Sequence, residues 1–179
     1  DLENVLIDTS PDLRNQMLGQ KITKIDKVFY SHMHADQTHG INDLRSFFIR
    51  NKKPIDVFAD NITSKYLKKT FSYCFDTYSK EYPATLVLNN FDKNLFIKDK
   101  KKKFLIKPII VQHGNVNSIC YVIGKKLAYI SDVSKIFEKD YKYFRNLKYL
   151  IIDCLWYKNH PSHFNLEKSL EMIKIFKPK

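Results

Sequence analysis

The stretch SHMHADQTHG (31–40) directly follows the apolar segment of the predicted strand KVFYS. It carries His32, His34, Asp36 and His39 where that strand ends. Because alternate residues of an extended segment lie on one side, we expect His32, His34 and Asp36 to converge. Imidazole and carboxylate donors without a thiolate suit Zn, Mn or Fe in a catalytic site better than a closed structural zinc site. The stretch therefore predicts a metal centre.

The remaining candidate donors also stand where apolar runs stop. His113 follows the run FLIKPIIVQ, Asp132 follows LAYIS, and His160 and His163 lie in NHPSHFN before the last predicted helix. A single histidine is more often structural than a ligand. All six histidines of this chain, however, fall in three short clusters. Loops at strand ends converge in layered α/β folds, so we expect these clusters to belong to one site.

Short apolar runs alternate with segments whose apolar residues are three and four apart, a pattern that predicts strands and helices in turn. Predicted strands cover residues 4–8, 27–31, 55–59, 104–112, 118–123, 127–131 and 149–153. Predicted helices cover residues 11–19, 41–50, 62–75 and 164–176. Ser10 is expected to cap the first helix, with Pro11 at its first position, and KDKKKKF (98–104) to form a turn between strands. The order predicts an α/β or α+β layered domain.

Length and composition narrow the function classes. A chain of 179 residues predicts a single domain over 1–179. Its 31 Lys and Arg against 19 Asp and Glu give a net charge of +12, which favours anionic partners. The excess is mostly Lys without an Arg-rich helix, so a dedicated nucleic-acid surface is not favoured. Cys74, Cys120 and Cys154 are widely spaced, and with no signal peptide or membrane span visible they predict a cytoplasmic protein.

The motif H-x-H-x-D at a strand end, with a later isolated His and a later strand-end Asp, resembles the metallo-β-lactamase fold of metal-dependent hydrolases. The stretches LIDTSPDLR, SHMHADQTHGINDLR, ISDVS and HPSHFNLEKSLE resemble the branch that contains the phosphoribosyl cyclic phosphodiesterase of phosphonate breakdown. The resemblance implies an αββα sandwich and two divalent metal ions, Zn or Mn. By the family pattern, an opening hairpin and a last strand with one more ligand histidine are expected to be missing from the ends.

Carried over by position, the resemblance implies a division of the donors between two ions. His32, His34 and His113 would hold the first ion, and Asp132 would bridge to a second ion held by Asp36. These assignments come from the family pattern and are expectations for this chain.

Further residues would act around the two ions. The resemblance places His163 beside the substrate phosphate as a catalytic residue, with His160 a weaker candidate. Asp8 would either orient a ligand or act as a cap or turn residue. The family usually has His where this chain has Gln37, and an amide oxygen is a weaker zinc donor, so the second ion is expected to bind weakly. His39 would either compensate for this or support a ligand.

The resemblance and the donor set together predict a reaction. We expect a metal-bound hydroxide to hydrolyse a small phosphodiester, cyclic ones included, with Asp36 orienting the water and His163 protonating the leaving oxygen. The expected partner is this anionic substrate, with neither nucleic acid nor a membrane, and a homodimer is left open. The alternatives are an RNA-processing nuclease of the same fold, and a non-enzymatic domain whose second metal site has degraded.

Overall fold

A computed structural model describes residues 2–91 and 95–179 of the chain. The chain divides into two compact units, each with its own sheet and hydrophobic core. The first unit comprises Asp1–Lys93 and Lys98–Lys100, and the second comprises Asn94–Ile97 and Lys101–Lys179. That residues 1–179 fold as one domain stays a prediction.

The sheet of the first unit has four parallel strands in sequence order. They are β1 (Val5–Ile7), β2 (Lys27–Phe29), β3 (Ile55–Phe58) and β4 (Leu86–Asn89). The helices are α1 (Leu13–Gly19), α2 (Ala35–Thr38), α3 (Leu44–Asn51), α4 (Asn61–Thr70) and α5 (Ser72–Phe75), and a 3-10 turn (Ile41–Asp43) precedes α3. Parallel neighbours require long crossover connections, which these helices provide. Val28, Val57, Leu44 and Leu67 are fully buried in the core between the sheet and its helices.

Local side-chain chemistry explains where these helices begin and end. Asp60 caps α4 by accepting a hydrogen bond of 2.8 Å from the backbone N–H of Thr63. The single helix predicted over 62–75 is interrupted at Phe71, whose φ of −124° leaves the helical region. The predicted Ser10 cap is wrong, because the carbonyl of Ser10 closes a turn with the N–H of Leu13 and α1 begins only after it.

The second unit has a five-stranded sheet in the order β5, β6, β7, β8, β9. The strands are β5 (Leu95–Asp99), β6 (Lys102–His113), β7 (Val116–Ile123), β8 (Leu127–Ile130) and β9 (Tyr149–Ile152), and helix α6 (Leu166–Phe176) follows them. Strands β6, β7 and β8 pair antiparallel, whereas β8 and β9 pair parallel. The core of this unit includes Cys120 and Ile130 from the sheet, Phe144 from the segment between β8 and β9, and Met172 and Phe176 from α6.

The parallel pairing of β8 with β9 positions functional side chains. The carboxyl ends of parallel strands lie at the same edge of a sheet. Asp132 follows β8 and Asp153 follows β9, so both carboxylates leave the sheet at that edge. Several observed strands stop one or two residues earlier than predicted. The residues released in this way, such as Ser31 and Asp153, use their polar groups to hold the loops described below.

The described part of the chain contains no helix that is both long enough and apolar enough to cross a membrane.

Candidate metal centre

The loop after β2 carries two histidines and is held by the end of β1. Asp8, with a φ of +61°, turns its carboxylate so that Oδ1 accepts the backbone N–H of Ser31 at 2.7 Å. Oγ of Ser31 lies 3.0 Å from Nδ1 of the buried His32. A hydrogen bond at Nδ1 leaves Nε2 of this ring for another partner. Asp8 therefore supports His32 through Ser31, as expected for a residue that orients a ligand.

His32 and His34 bring two imidazole nitrogens together. Nε2 of His32 lies 2.9 Å from Nδ1 of His34, with the ring planes at 74°. Two nitrogens at this distance either share a proton or are drawn together by one cation. Each nitrogen would lie about 2.0 to 2.1 Å from a bound zinc, which is compatible with this separation. The pair therefore fits the predicted metal ligands.

Asp36 and Gln37 depart from the predicted extended geometry. The expectation that Asp36 continues the alternation of His32 and His34 is wrong, because Asp36 lies in the first turn of α2. The backbone N–H of His39 donates to the carbonyl of Ala35 at 2.9 Å, and Oγ1 of Thr38 also donates to the carbonyl of His34 at 2.9 Å, so the segment is a helical turn. The side chains of Asp36 and Gln37 contact each other. Nε2 of Gln37 donates to Oδ2 of the exposed Asp36 at 2.8 Å, so the amide that replaces the family histidine orients the neighbouring carboxylate.

His39 finds its partners on the helix side of the first unit. Its Nε2 lies 3.1 Å from the hydroxyl of Tyr66, and its ring meets the edge of Phe71 at a centroid distance of 5.6 Å. Nε2 of His39 could bind a metal ion only if it lost its contact with the hydroxyl of Tyr66. The geometry therefore suits the supporting role, and the ligand role of His39 stays untested.

A buried hydroxyl pair fixes the same motif to β1. Oγ1 of Thr9 lies 2.8 Å from the hydroxyl of Tyr30, and the backbone N–H of Thr9 donates to the carbonyl of Gln37 at 2.7 Å. Burial raises the pKa of Tyr30, which therefore stays a neutral phenol at any physiological pH. The hydroxyl acts here as structural support for the loop.

In the second unit, His113 ends β6 with a defined ring orientation. Its Nδ1 donates to the carbonyl of Ser162 at 2.6 Å, which leaves the lone pair of Nε2 available as a ligand. The chain turns sharply after it, because Gly114 has a φ of +56°. A Cβ at Gly114 would lie 2.9 Å from Cβ of Ser162, closer than real Cβ contacts allow. Glycine at this position lets the two loops approach and allows the contact between His113 and Ser162.

His163 is oriented by a carboxylate that the sequence analysis did not identify. Nδ1 of His163 donates to Oδ2 of Asp153 at 2.9 Å. The same oxygen accepts the backbone N–H groups of Val133 at 3.1 Å and Phe164 at 3.3 Å, which fixes its position. In the sequence, Asp153 interrupts the apolar run YLIIDCLWY (149–157). Its place directly after a strand, like that of Asp132, was the signal that could have identified it.

His113, Asp132 and His163 form a compact group of donors. Their ligand atoms all lie within 4.8 Å of one another. Oδ2 of Asp132 is 3.7 Å from Nε2 of His113 and 4.0 Å from Nε2 of His163. These distances are too long for hydrogen bonds but suit atoms that share one ion, since each donor would lie about 2.0 to 2.2 Å from it. With Nδ1 of both histidines occupied elsewhere, Nε2 of His113 and Oδ2 of Asp132 fit a divalent metal, and Nε2 of His163 is placed either to be a third ligand or to donate a proton beside them.

His160 lies on the same loop as His163, and their ring centroids are 5.1 Å apart. Nδ1 of His160 accepts the N–H of Ser162 at 3.3 Å, which holds the ring beside the loop. Both predicted substrate-side histidines therefore stand together. The convergence of His32 and His34 with His113 and Asp132 joins the two units and stays a prediction.

Comparisons with known proteins identify the fold. A family model described as the Beta-lactamase superfamily domain matches residues 3–179. A curated relative, named octanoyltransferase, from Porphyromonas gingivalis is 28% identical over 172 residues, which is 96% of this chain and 34% of the relative. The chain therefore spans about a third of that relative.

Solved structures agree with the family model. A diphosphatase described as from the PhnP family is 32% identical with a TM-score of 0.83, over 98% of this chain and 65% of that one. The metallo-β-lactamase fold protein YhfI from Bacillus subtilis is 16% identical with a TM-score of 0.70, over 97% and 70% of the two chains. Zn²⁺-bound PqqB from Methylobacterium extorquens, at 16% identity and a TM-score of 0.59 over 86% and 57%, shows a zinc ion in a protein of this fold. The predicted metallo-β-lactamase fold is confirmed.

Proposed function

Because the chain belongs to the beta-lactamase superfamily and has the fold of its metallo-hydrolases, we propose that it is a metal-dependent phosphodiesterase. Its substrates are small anionic phosphodiesters, cyclic ones included. The proposal rests on the orientation of the His163 ring. Asp153 accepts a hydrogen bond from its Nδ1, and its Nε2 lies 4.0 Å from Oδ2 of Asp132, which follows the neighbouring strand. The similar PhnP-family diphosphatase supports a phosphate ester as the class of substrate.

The donors divide between two cations of the type Zn or Mn. His32, His34 and His113 would hold the first cation. Asp36 would hold the second cation with Gln37 as a weak additional ligand, and Asp132 would bind both. When bound, such ions polarise the phosphoryl oxygens and lower the pKa of a coordinated water. The second ion would bind more weakly because an amide stands where the family usually has an imidazole.

The protein side chains orient the substrate and transfer the proton. With Nδ1–H of His163 bound to Asp153 at 2.9 Å, a proton taken up by the ring must sit on Nε2, and the carboxylate stabilises the resulting imidazolium. His163 can therefore pass this proton from Nε2 to the leaving alkoxide oxygen as a general acid. Asp36 orients the attacking water. His160, on the same loop, contributes a hydrogen bond to the phosphate.

The proposal also covers the binding partners and the location of the protein. The small phosphodiester is the partner of this site, and the net charge of +12 would attract it. Nucleic acid and membranes are not proposed as partners, and a homodimer is left open. A cytoplasmic location is proposed because the chain has an odd number of cysteines, three, at wide spacings. The name octanoyltransferase belongs to a relative of which this chain covers only 34%, so we do not propose acyl transfer.

A direct test compares turnover of bis(p-nitrophenyl) phosphate and of a cyclic phosphodiester in His163→Ala and in the unaltered chain. Loss of general acid catalysis typically costs about a hundredfold to ten-thousandfold in rate, so we expect a decrease of that order with unchanged metal content. Lys174→Ala on the exposed face of α6 is the control and should keep full turnover. If His163→Ala also removes metal, the residue is a ligand. If the protein instead opens thiolesters or lactams and no phosphodiester, the proposed substrate class is wrong.

A further inference from the structure

The second unit has a cavity of about 710 Å³ at the end of its sheet that lies away from His113. Strand β6 contributes residues between 103 and 107 to the cavity, and the segment between β8 and β9 contributes residues between 142 and 147. Six residues along the extended strand β6 lead from Lys107 to His113, which is a distance of about 20 Å. The volume is typical of cavities that bind small organic molecules, and none of the roles proposed above uses this one.

The side chains around this cavity are strongly cationic. Among the described residues, no aspartate or glutamate lines it, although the whole chain has 19 of these residues. In the parts of the chain that the structure describes, none of the lining cations forms an ion pair with a carboxylate. The lining cations are Lys103, Lys107, Lys125, Lys142 and Arg145. The cavity therefore carries a concentrated positive charge that attracts an anion.

Two of these cations lie against the same aromatic ring. Nζ of Lys107 is 4.0 Å and Nζ of Lys142 is 5.2 Å from the ring centroid of Tyr143. The two ammonium groups are therefore at most about 9 Å apart, within the Debye length of about 10 Å at 0.1 M salt, and they repel each other. An anion bound between them would offset this repulsion.

Apolar side chains form the rest of the cavity wall. Val122 and Leu147 are buried residues of the core of the second unit, and Leu105 beside them is half exposed. Gly124, with a φ of +58°, brings the turn after β7 against the ring of Phe104, because a Cβ at this glycine would lie 2.8 Å from Cδ1 of that ring. An apolar wall inside a cationic rim suits a ligand that has both an apolar and an anionic part.

We infer that this cavity binds a single-chain amphiphilic anion, such as a medium-chain fatty acid, at a site separate from the metal centre. The anionic head group would lie between Lys107 and Lys142, and the alkyl chain would lie against Leu105, Val122 and Leu147. An alkyl chain fits better than an aromatic ring, because lysine ammonium groups already lie over Tyr143 at 4.0 Å and over Phe104 at 5.9 Å. The inference does not depend on the proposed phosphodiesterase function.

Calorimetric titration of the unaltered chain with decanoate and octanoate tests the apolar part of this site. Each buried methylene contributes about fourfold in affinity, so decanoate should bind about tenfold more tightly than octanoate. Decyltrimethylammonium has an alkyl chain of the same length with the opposite charge, and it should not bind. Equal affinities for the two fatty acids would mean that charge alone attracts them, which would overturn the inference.

A pair of double variants tests the location of the head group. Lys107→Gln with Lys142→Gln removes the two cations at Tyr143 and should weaken decanoate binding by about tenfold. Lys68→Gln with Lys69→Gln, at exposed positions of α4, changes the net charge by the same amount and should keep full affinity. Decanoate binding that is unchanged in the first double variant would overturn the inference.

Flotation with phosphatidylglycerol vesicles distinguishes a free amphiphile from the surface of an anionic membrane. We expect decanoate to bind whether or not vesicles are present. If the chain binds vesicles through Lys107 and Lys142 but does not bind decanoate, the cationic rim contacts a membrane surface and the inferred cavity ligand is wrong.

Discussion

The two ring nitrogens of His163 have different partners, and Asp153 sets which is which. Its Oδ2 accepts Nδ1–H of His163 at 2.9 Å and two backbone N–H groups besides, so this carboxylate is held in place before any substrate arrives. A carboxylate that binds one nitrogen of a histidine fixes the tautomer and raises the basicity of the other nitrogen. Asp153 is therefore a positioning residue for His163.

Asp153→Asn should show this role directly. The amide keeps the shape but loses the charge that stabilises the imidazolium, and loss of such a partner typically costs about 10- to 100-fold in activity. We expect phosphodiester turnover to decrease by that factor while the metal content stays unchanged. Asp140→Asn is the matched control and should keep full turnover. Unchanged turnover, or loss of metal together with turnover, would contradict a role of Asp153 in positioning His163.

We expect Gln37 to set how tightly the proposed second ion is held. Its amide donates to Asp36 at 2.8 Å, which leaves an amide oxygen as its only metal donor. Gln37→His restores an imidazole at this position, so we expect the weaker of two sites in a metal titration to tighten by about tenfold or more. His39→Ala tests whether the nearby histidine already compensates. Two equally tight ions in the unaltered chain would contradict the ranking of these donors.

The candidate donors could be chosen from the sequence, whereas the groups that orient them could not, and metal binding by these donors stays a prediction. His32, His34, His113 and Asp132 could be recognised because imidazoles and carboxylates at strand ends are uncommon outside sites. Asp153 escaped notice because its partner, His163, is ten residues away and the contact depends on the shape of the intervening loop. The expected place of Asp36 is wrong because Ala35–Thr38 form a helical turn, which the alternation of polar residues does not show.

At the scale of elements, the reactivity of each cysteine reports whether the helix, strand or loop that carries it is buried. Cys74 on α5 and Cys120 on β7 are buried, whereas Cys154 follows β9 and is exposed. Burial raises the pKa of the Cys74 thiol to about 11 and that of Cys120 well above its usual value. Only the thiolate reacts with alkylating agents, so both buried thiols stay protonated and protected at neutral pH.

Native alkylation with iodoacetamide at neutral pH should therefore add one label per chain, and peptide mapping should place it on Cys154. The unfolded chain should accept three labels, one for each cysteine. Rapid labelling of Cys120 in the native protein would contradict the burial of β7 in the core of the second unit.

Most elements could be predicted from the sequence because their apolar runs are continuous and bounded by polar residues. Strands β4 and β5 were missed, since LVLN and LFIKD are short and lie among Asn, Asp and Lys. The parallel pairing of β8 with β9 could not be predicted, because the paired residues are about twenty positions apart. The segment between the two strands, which contains a 3-10 turn (Glu138–Tyr143), does not indicate how they pair. That pairing places Asp132 and Asp153 at one edge of the sheet.

At the scale of the whole molecule, the proposed first metal ion takes donors from both compact units. His32 and His34 belong to the first unit, and His113 and Asp132 belong to the second. Within each unit, the nitrogen and oxygen atoms of these side chains lie at separations that suit a divalent metal. We propose, from the family pattern, that the two groups of donors bind at one shared centre.

Metal stoichiometry after loading with zinc, measured by plasma mass spectrometry on dialysed protein, tests this claim most directly. We would compare the unaltered chain with His32→Ala, His113→Ala and the double variant, and use Tyr82→Ala as the control. Residues that share an ion show non-additive effects, so each single variant should lose the same tightly held ion and the double variant should lose no more. Losses that add in the double variant, or full retention of metal in either single variant, would contradict a shared centre.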